Sequence, residues 1–405
     1  VNIPPTTPAS FSRNEINVLV FTGVAHSATH FAELLYPTLA VVIAADTGVP
    51  LERVLMWSFP AYLLFGIGAL PAGYLADRLG CRRLILASFG AMALATILAG
   101  CVPPGPLLAA CLGLLGLSAS VYHPAGMGLI SRSVAARGRA LGINGIFGNL
   151  GIALTPVLTA TLASWVGWRG ALIASGLLLA GATIGFARLP IVEPPRDRHD
   201  AAADGPPTPV RVPWLPFAVL CATAMLGGIS YRGNTLAQPA YFAEHVSAMG
   251  YGAATSLAMV VGIAGQYWGG IVADRHDLRW SYLFFHLASI PPLLLMMVTT
   301  NLPLIGIAGM FTFFSLGMQP IENSLFASFT PDRWRSTGYG VKFVCTFGVG
   351  SVAVWLVTWV KATFGLGQVF GALAVVVGVL VVTAGVLVAV SSPTSTRPVA
   401  SDAAG

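Results

Sequence analysis

Twelve separate stretches of this chain are apolar for long enough to cross a lipid bilayer, and nothing else in the sequence narrows its fold so far. They fall at 16–45, 53–76, 84–102, 106–131, 140–166, 170–189, 214–243, 252–273, 281–299, 303–329, 337–362 and 367–390, each at or near the roughly 20 residues that a transmembrane helix needs. We number them spans 1 to 12. Inside a bilayer the backbone has no water to bond, so such segments must be helices. The expected fold class is an all-α integral membrane protein of twelve transmembrane helices in two pseudo-symmetric six-helix bundles. Composition closes off the alternatives. Hydrophobic residues make up 56% of the 405 and charged residues 9%, against about 25% charged in soluble domains, which excludes a soluble enzyme. With 21 Phe, 9 Trp and 10 Tyr the chain is also far too aromatic to be disordered.

Orientation follows from the basic residues. With the N-terminus inside, the inner segments hold sixteen of the 21 Lys and Arg, from Arg13 and Arg78 to Arg333 and Arg397, while the outer segments hold Arg53, Arg169 and Lys361. That asymmetry obeys the positive-inside rule and predicts both termini in the cytoplasm, with a multi-pass protein in the inner (plasma) membrane. The segment 1–15 reads as a cytoplasmic tail without a signal-peptide layout, 16–189 as the first bundle, 190–213 as a Pro- and Ala-rich cytoplasmic linker, 214–390 as the second bundle and 391–405 as a second tail. The net charge of +6 is scattered rather than gathered on one face, so no nucleic-acid partner is expected. Cys81, Cys101, Cys111, Cys221 and Cys345 lack CxxC spacing and read as small hydrophobes.

The two halves repeat one another. GYLADRLGCRR at 73–83 returns as GIVADRHDLRW at 270–280, setting Asp77 against Asp274; His123-Pro124 aligns with Gln319-Pro320, and Arg137 with Arg335, all at offsets of 196–198. Parallel repeats place a substrate path between the halves near mid-membrane. GYLADRLGCRR is similar to the Gly-x-x-x-Asp-Arg-x-Gly-x-Arg-Arg signature of the major facilitator superfamily through Gly73, Asp77, Arg78, Gly80, Arg82 and Arg83. In the second half Gly270, Asp274, Arg275 and Arg279 match, but His276-Asp277 stands where the family has Leu-Gly. SASVYHPAGMGLISR, followed by GRALGINGIFGNLGIALTPVL, resembles the helix 4 and helix 5 stretches of the fosmidomycin-resistance type of drug exporter, and so do an early His and Tyr36-Pro37 in span 1. This likeness is strong over 15–160. It implies a secondary active transporter that rocks two bundles about a central site, a proton-coupled antiporter for efflux, acting as a monomer.

An ionisable side chain inside a span is costly and is a functional candidate by default. Span 1 carries His26, His30 and Glu33 on one helical face. Span 4 adds Tyr122 and His123, span 5 Asn144 and Asn149, span 7 Tyr231, Arg232, Asn234 and Gln238, span 8 Gln266 and Tyr267, span 10 Gln319, Glu322 and Asn323, and span 11 Lys342. We expect these to line a central cavity. Arg232 and Lys342 are the candidate sites for an anionic or carbonyl-rich group, Glu33 and Glu322 the candidate proton-coupling carboxylates with Glu33 favoured, and the histidines either bind substrate or relay protons. The competing reading pairs Glu33 with Arg232 and Glu322 with Lys342 as fixed locks. Gly73, Asp77, Arg78, Arg82, Arg83, Asp274 and Arg275 are expected to form an inner gate, with Asp77 facing the start of span 11. His199, His276 and His286 read as peripheral.

Three other functions are weighed. His26-xxx-His30 with His123 offers ligands to a transition-metal ion, so metal transport is the alternative cargo. A receptor or scaffold that kept the fold predicts an uncharged cavity, against five ionisable groups at mid-span. An intramembrane enzyme lacks any HExxH or Ser-His-Asp arrangement, and with no GxxxxGK[ST] run neither ATP nor another cofactor is expected.

Overall fold

Helix ends in this protein are set by turn chemistry and helix breaks by close approach of neighbouring backbones. A computed structural model describes residues 11–194, 213–331 and 335–392; the tails 1–10 and 393–405, the linker residues 195–212 with Arg196, Arg198, His199 and Arg211, and Arg333 lie outside the described residues. Span 1 is Arg13–Thr47. A capping box opens it, with Ser12 Oγ accepting from the Glu15 amide at 3.3 Å and Glu15 Oε2 from the Ser12 amide at 2.8 Å. Gly48, at φ 68°, closes it. Span 3 (Cys81–Cys101), span 7 (Trp214–His245), span 8 (Tyr251–Arg275), span 9 (Leu278–Met296), span 10 (Asn301–Phe329) and span 12 (Gln368–Val390) are single helices.

The others are interrupted. Span 2 comprises Leu51–Met56, Phe59–Ile67 and Ala69–Leu79, with a 49° bend at Gly68. Span 4 breaks between Pro106–Ala119 and Tyr122–Ser133. Spans 5 and 6 form one helical run, Arg137–Ala187, that turns at Gly167 (φ 69°, ψ 171°), a backbone conformation only glycine adopts without strain. Span 11 starts as Arg335–Phe343, widens into a π-helical turn at Val344–Gly348 and continues to Phe364. Internal Gly and Pro predict bent helices: Pro60, Pro71 and Pro124 lie within a few residues of the breaks in spans 2 and 4, whereas Pro37, Pro156, Pro239 and Pro320 lie within helical stretches. Breaks also accompany packing: a Cβ on Gly66 of span 2 would stand 2.0 Å from the Gly348 nitrogen, and one on Gly228 of span 7 would stand 2.0 Å from the Thr346 carbonyl oxygen. Small residues let membrane helices touch at backbone distance, and the π turn of span 11 sits between two such contacts.

Spans 1 to 6 pack on one another, as do spans 7 to 12, and the two bundles meet along span 5 with span 8, span 2 with span 11, and span 1 with span 7. The first two pairings are mates under the internal repeat. So is a pair of clamps: Arg82 donates to the carbonyls of Ala187 (2.9 Å) and Leu189 (3.1 Å) at the end of span 6, and Arg279, 197 positions later, donates to those of Val388 and Ser391 at the end of span 12. At the Arg-poor end of the molecule the bundles are tied by Lys361 Nζ to Glu52 Oε2 at 2.5 Å, Tyr251 Oη to the Thr38 carbonyl at 3.1 Å and the Val157 amide to Ser256 Oγ at 3.0 Å.

Candidate functional site

The buried polar groups of span 1 lie where spans 1, 4, 5 and 7 converge. Glu33 is 7% exposed and Arg232 1%. Arg232 Nη2 donates to Glu33 Oε1 in an ion pair that joins the two bundles. His30 Nδ1 lies 2.7 Å from Glu33 Oε2, so both carboxylate oxygens are engaged. His30 Nε2 and His26 Nε2 are 3.2 Å apart, and His26 Nδ1 is 2.9 Å from the carbonyl oxygen of Asn144. Tyr122 stacks on His26 with centroids 4.9 Å apart and donates to the Thr22 carbonyl at 2.8 Å, while its hydroxyl accepts from Asn144 Nδ2 at 2.7 Å. His123 lies within 6 Å of His26 and His30, its ring stacked on Phe343 and Phe347 of span 11.

The local sequence explains this placement. A Cβ on Gly148 would meet the His26 ring at 2.5 Å, and one on Gly151 would meet the Ser27 carbonyl oxygen at 2.4 Å. The Gly-Asn-Leu-Gly run of span 5 therefore acts by its missing side chains, which let span 1 approach and seat the imidazole against the span 5 backbone.

A second network lies inside the second bundle. Lys342 Nζ is 3.0 Å from Glu322 Oε1 and also donates to Asn323 Oδ1. Glu322 Oε2 accepts from Tyr282 Oη at 2.8 Å, and Tyr282 packs edge-on against buried His286, centroids 4.5 Å apart. Both pairs of the competing reading thus form, and in this conformation Arg232 and Lys342, the candidate anion sites, hold carboxylates instead. Asn149 Nδ2 donates to Gln266 Oε1 between spans 5 and 8, and Asn234 Nδ2 to Gln238 Oε1 along span 7 at 3.1 Å. Gln238 Nε2, Asn234 Oδ1, Tyr231 Oη and Arg232 Nη1 are buried without a hydrogen-bond partner.

Not every expected residue joins these networks. Tyr267 is 75% exposed, because its neighbours Gly265 and Gly269 pack on span 10 and turn it away. Gln319 is half-buried and outside both networks. Of the gate residues, Arg78 lies over the Tyr74 ring at 4.4 Å, Gly73 packs on Pro124, and Arg83, Asp274 and Arg275 are exposed. Arg82 clamps its own bundle rather than spanning to the other. In the second half the His276-Asp277 substitution has its own logic: Asp277 caps span 9 by accepting from the Arg279 amide at 2.9 Å and also holds the Arg279 guanidinium. That pairing holds its carboxyl below the usual range. The first half uses Glu193, from beyond span 6, which accepts from the Cys81 and Arg82 amides and from Arg132. His286 is packed inside the second bundle, beside Glu322's partner Tyr282, and is less peripheral than its sequence setting indicates. Sequence reasoning also missed Tyr62. Its ring lies 3.8 Å from the Arg232 guanidinium carbon and its hydroxyl donates to the Glu33 carbonyl at 3.3 Å; a polar aromatic inside span 2 was the available signal.

Comparison with known proteins agrees with this architecture. The chain is similar to the Multidrug resistance protein B homolog of Mycobacterium tuberculosis (27% identity over 215 residues, 49% of this chain and 38% of that protein) and to the Multidrug efflux pump LfrA of Mycolicibacterium smegmatis (27% over 298 residues, 71% and 54%). It therefore spans about a third to a half of the length of these relatives. The crystal structure of a bacterial homolog to the human lysosomal transporter Spinster, inward-facing and occupied, superimposes with a TM-score of 0.70 over 94% of this chain and 96% of that one, at 14% identity. The fold is thus shared, and in this chain it is an all-helical membrane fold of twelve helices. Residues 20–231, just over half the chain, match the family model described as Major Facilitator Superfamily, and this chain belongs to that superfamily.

Proposed function

We propose that the protein exports a small organic molecule bearing an anionic or carbonyl-rich group in exchange for protons, by alternating access of its two bundles, as a monomer in the inner membrane with both termini cytoplasmic. The observation that carries this reading is the buried Glu33–Arg232 ion pair joining the bundles at mid-membrane. A pair shared by two rocking bodies must be exchanged as they separate. Arg232 keeps Nη1 without a partner, so an incoming anion has an N–H to engage before it displaces Glu33. The efflux and resistance names of the relatives point the same way. The finer likeness to fosmidomycin-resistance exporters rests on the span 4 and span 5 motifs alone.

We assign proton coupling to Glu322 in preference to Glu33, reversing the sequence expectation. Protonating either glutamate takes the carboxylate from a buried cation, at a cost of roughly 3–5 kcal/mol. At Glu322 the loss is eased, because Lys342 keeps Asn323 Oδ1, Tyr282 Oη can donate or accept, and an ammonium, unlike a guanidinium, can give up its own proton. The test is transport in proteoliposomes of an organic anion selected by thermal stabilisation of the purified protein. Glu322→Gln should lose proton-driven accumulation and retain exchange, whereas Glu33→Gln should impair both. Retained accumulation in Glu322→Gln, with loss in Glu33→Gln, returns the role to Glu33; retention in both removes proton coupling by carboxylates.

A further inference from the structure

The three histidines of the first bundle carry an arrangement that neither ion pair explains. The carbonyl oxygen of Asn144 can only accept, so His26 Nδ1, 2.9 Å away, bears a proton; His30 Nδ1 is likewise placed to donate to Glu33 Oε2 at 2.7 Å. Each neutral ring then presents a lone pair at Nε2, and these two atoms face one another at 3.2 Å. Two lone pairs so close repel unless a cation lies between them. His123 supplies a third nitrogen, for its Nε2 is buried without a hydrogen-bond partner. One nitrogen from each of the three rings lies within 4.8 Å of the others.

We propose that His26, His30 and His123 form a site for a divalent late first-row transition-metal ion of the Zn2+ class. Ligands on a tetrahedral centre with metal–nitrogen bonds of about 2.0–2.1 Å sit about 3.3 Å apart, close to the observed 3.2 Å; the His123 nitrogen, within 4.8 Å of the other two, moves closer to complete the set. The outer contacts fit as well. Metal-binding histidines donate their second N–H to a carboxylate or backbone carbonyl, which fixes tautomer and ring orientation, and Glu33 and Asn144 take those two places. Tyr122 stacks on His26, and Phe343 and Phe347 hold the His123 ring. A donor set of imidazoles selects against Mg2+ and Ca2+, which take oxygen. Three protein ligands leave a fourth position for water or a donor atom of the cargo. A shared proton would also bridge the two Nε2 atoms, but it leaves the third buried nitrogen unaccounted for; the metal engages all three. The site shares Glu33 with the organic-anion reading, but its ligands are the three histidines, and that reading's cation and proton groups are Arg232, Lys342 and Glu322.

The test is Co2+ titration of the tag-free, chelator-treated full-length protein in detergent. The expected result is the strong visible bands of four-coordinate Co2+, saturating at a single equivalent and displaced by Zn2+. His26→Gln and His123→Gln should each lower affinity by at least about a hundredfold, with His276→Gln, in an exposed loop, unchanged. His123→Cys separates ligand loss from misfolding: it should keep the bands and add a sulfur-to-cobalt charge-transfer band. Absent bands in the monodisperse wild type, bands that survive removal of all three histidines, or a His123→Cys variant without the sulfur band would each overturn the site, as would an imidazolium NMR signal that persists under excess Zn2+. Because the readout is occupancy, failure here leaves the transport reading untouched, and failed transport leaves the site standing.

Discussion

Buried charges decide this protein at the residue scale. Glu33 and Arg232 have their side chains almost wholly out of solvent, so removing one member leaves the other uncompensated, which costs about 3–5 kcal/mol. Replacing both with apolar groups of similar size costs far less. Glu33→Leu should therefore lower the thermal midpoint of the purified protein sharply, and adding Arg232→Met should recover most of the loss. If the double variant is no more stable than the single one, the pair is not an isolated lock and Tyr62 or His30 shares its energy. Lys342 offers a contrasting case. Its ammonium serves two acceptors, Glu322 and Asn323, in a space suited to a compact point charge, so Lys342→Arg should not restore the anion binding lost in Lys342→Ala. Equal binding in wild type and Lys342→Arg would show that charge alone suffices there. The identity of these groups was readable from sequence because polar residues inside apolar spans are conspicuous. Their partners were not, since pairing depends on which spans face each other.

At the scale of elements, span positions were legible and interruptions were not. The apolar stretches match the helices to within a few residues, because hydropathy and the bilayer's thickness set both. The break in span 2 and the π turn in span 11 accompany backbone contacts between distant segments, which periodicity does not encode, whereas the turn at Gly167 falls in the gap the sequence leaves between spans 5 and 6. Gly148 illustrates the point. It reads as one more glycine in a flexible helix, yet it is the surface on which His26 rests. Gly148→Ala should retain membrane insertion but push the His26 ring off the Asn144 carbonyl, detectable as a changed His26 ring signal by NMR; an unchanged signal would mean that span 1 can shift to absorb the methyl. The helix-capping acid Glu193 belongs here too. Partial burial alone would raise its carboxyl, but the Cys81 and Arg82 amides and Arg132 outweigh this and hold it below the ordinary value. Its contribution to stability is thus complete above the ordinary carboxylate range and lost as pH falls through the lowered value. Glu193→Gln should flatten the acid-side decline in thermal midpoint; an identical decline in the variant would assign that slope to other carboxylates.

Over the whole molecule, the repeat recognised in the sequence governs how the halves meet: the contact of span 5 with span 8 and that of span 2 with span 11 are mates of one another under the repeat. What the repeat does not disclose is that the Arg-poor end is tied here, among the described residues, by Glu52–Lys361, Tyr251–Thr38 and Val157–Ser256. Asp77, which we propose as a gate residue, belongs to the opposite end, and Asp77→Asn should keep normal insertion but slow transport severely; full activity would remove the gate assignment. The tie itself can be probed directly. Glu52 and Lys361 are partly solvated, so their pair contributes at most about 1 kcal/mol, and Lys361→Ala should shift the balance of states by no more than about fivefold. A covalent tie is a different matter. With Cys101 and Cys221, the two cysteines that are not buried, replaced by Ser, Glu52→Cys and Lys361→Cys should react with a short bifunctional thiol reagent. If the bundles rock as rigid bodies, the tethered protein should still bind cargo from the Arg-rich end, with affinity unchanged, and should carry out no net transport until the linker is cleaved. Transport that continues through a closed tether would require cargo to pass without separation of these ends, and rocking about the central ion pair would have to be abandoned.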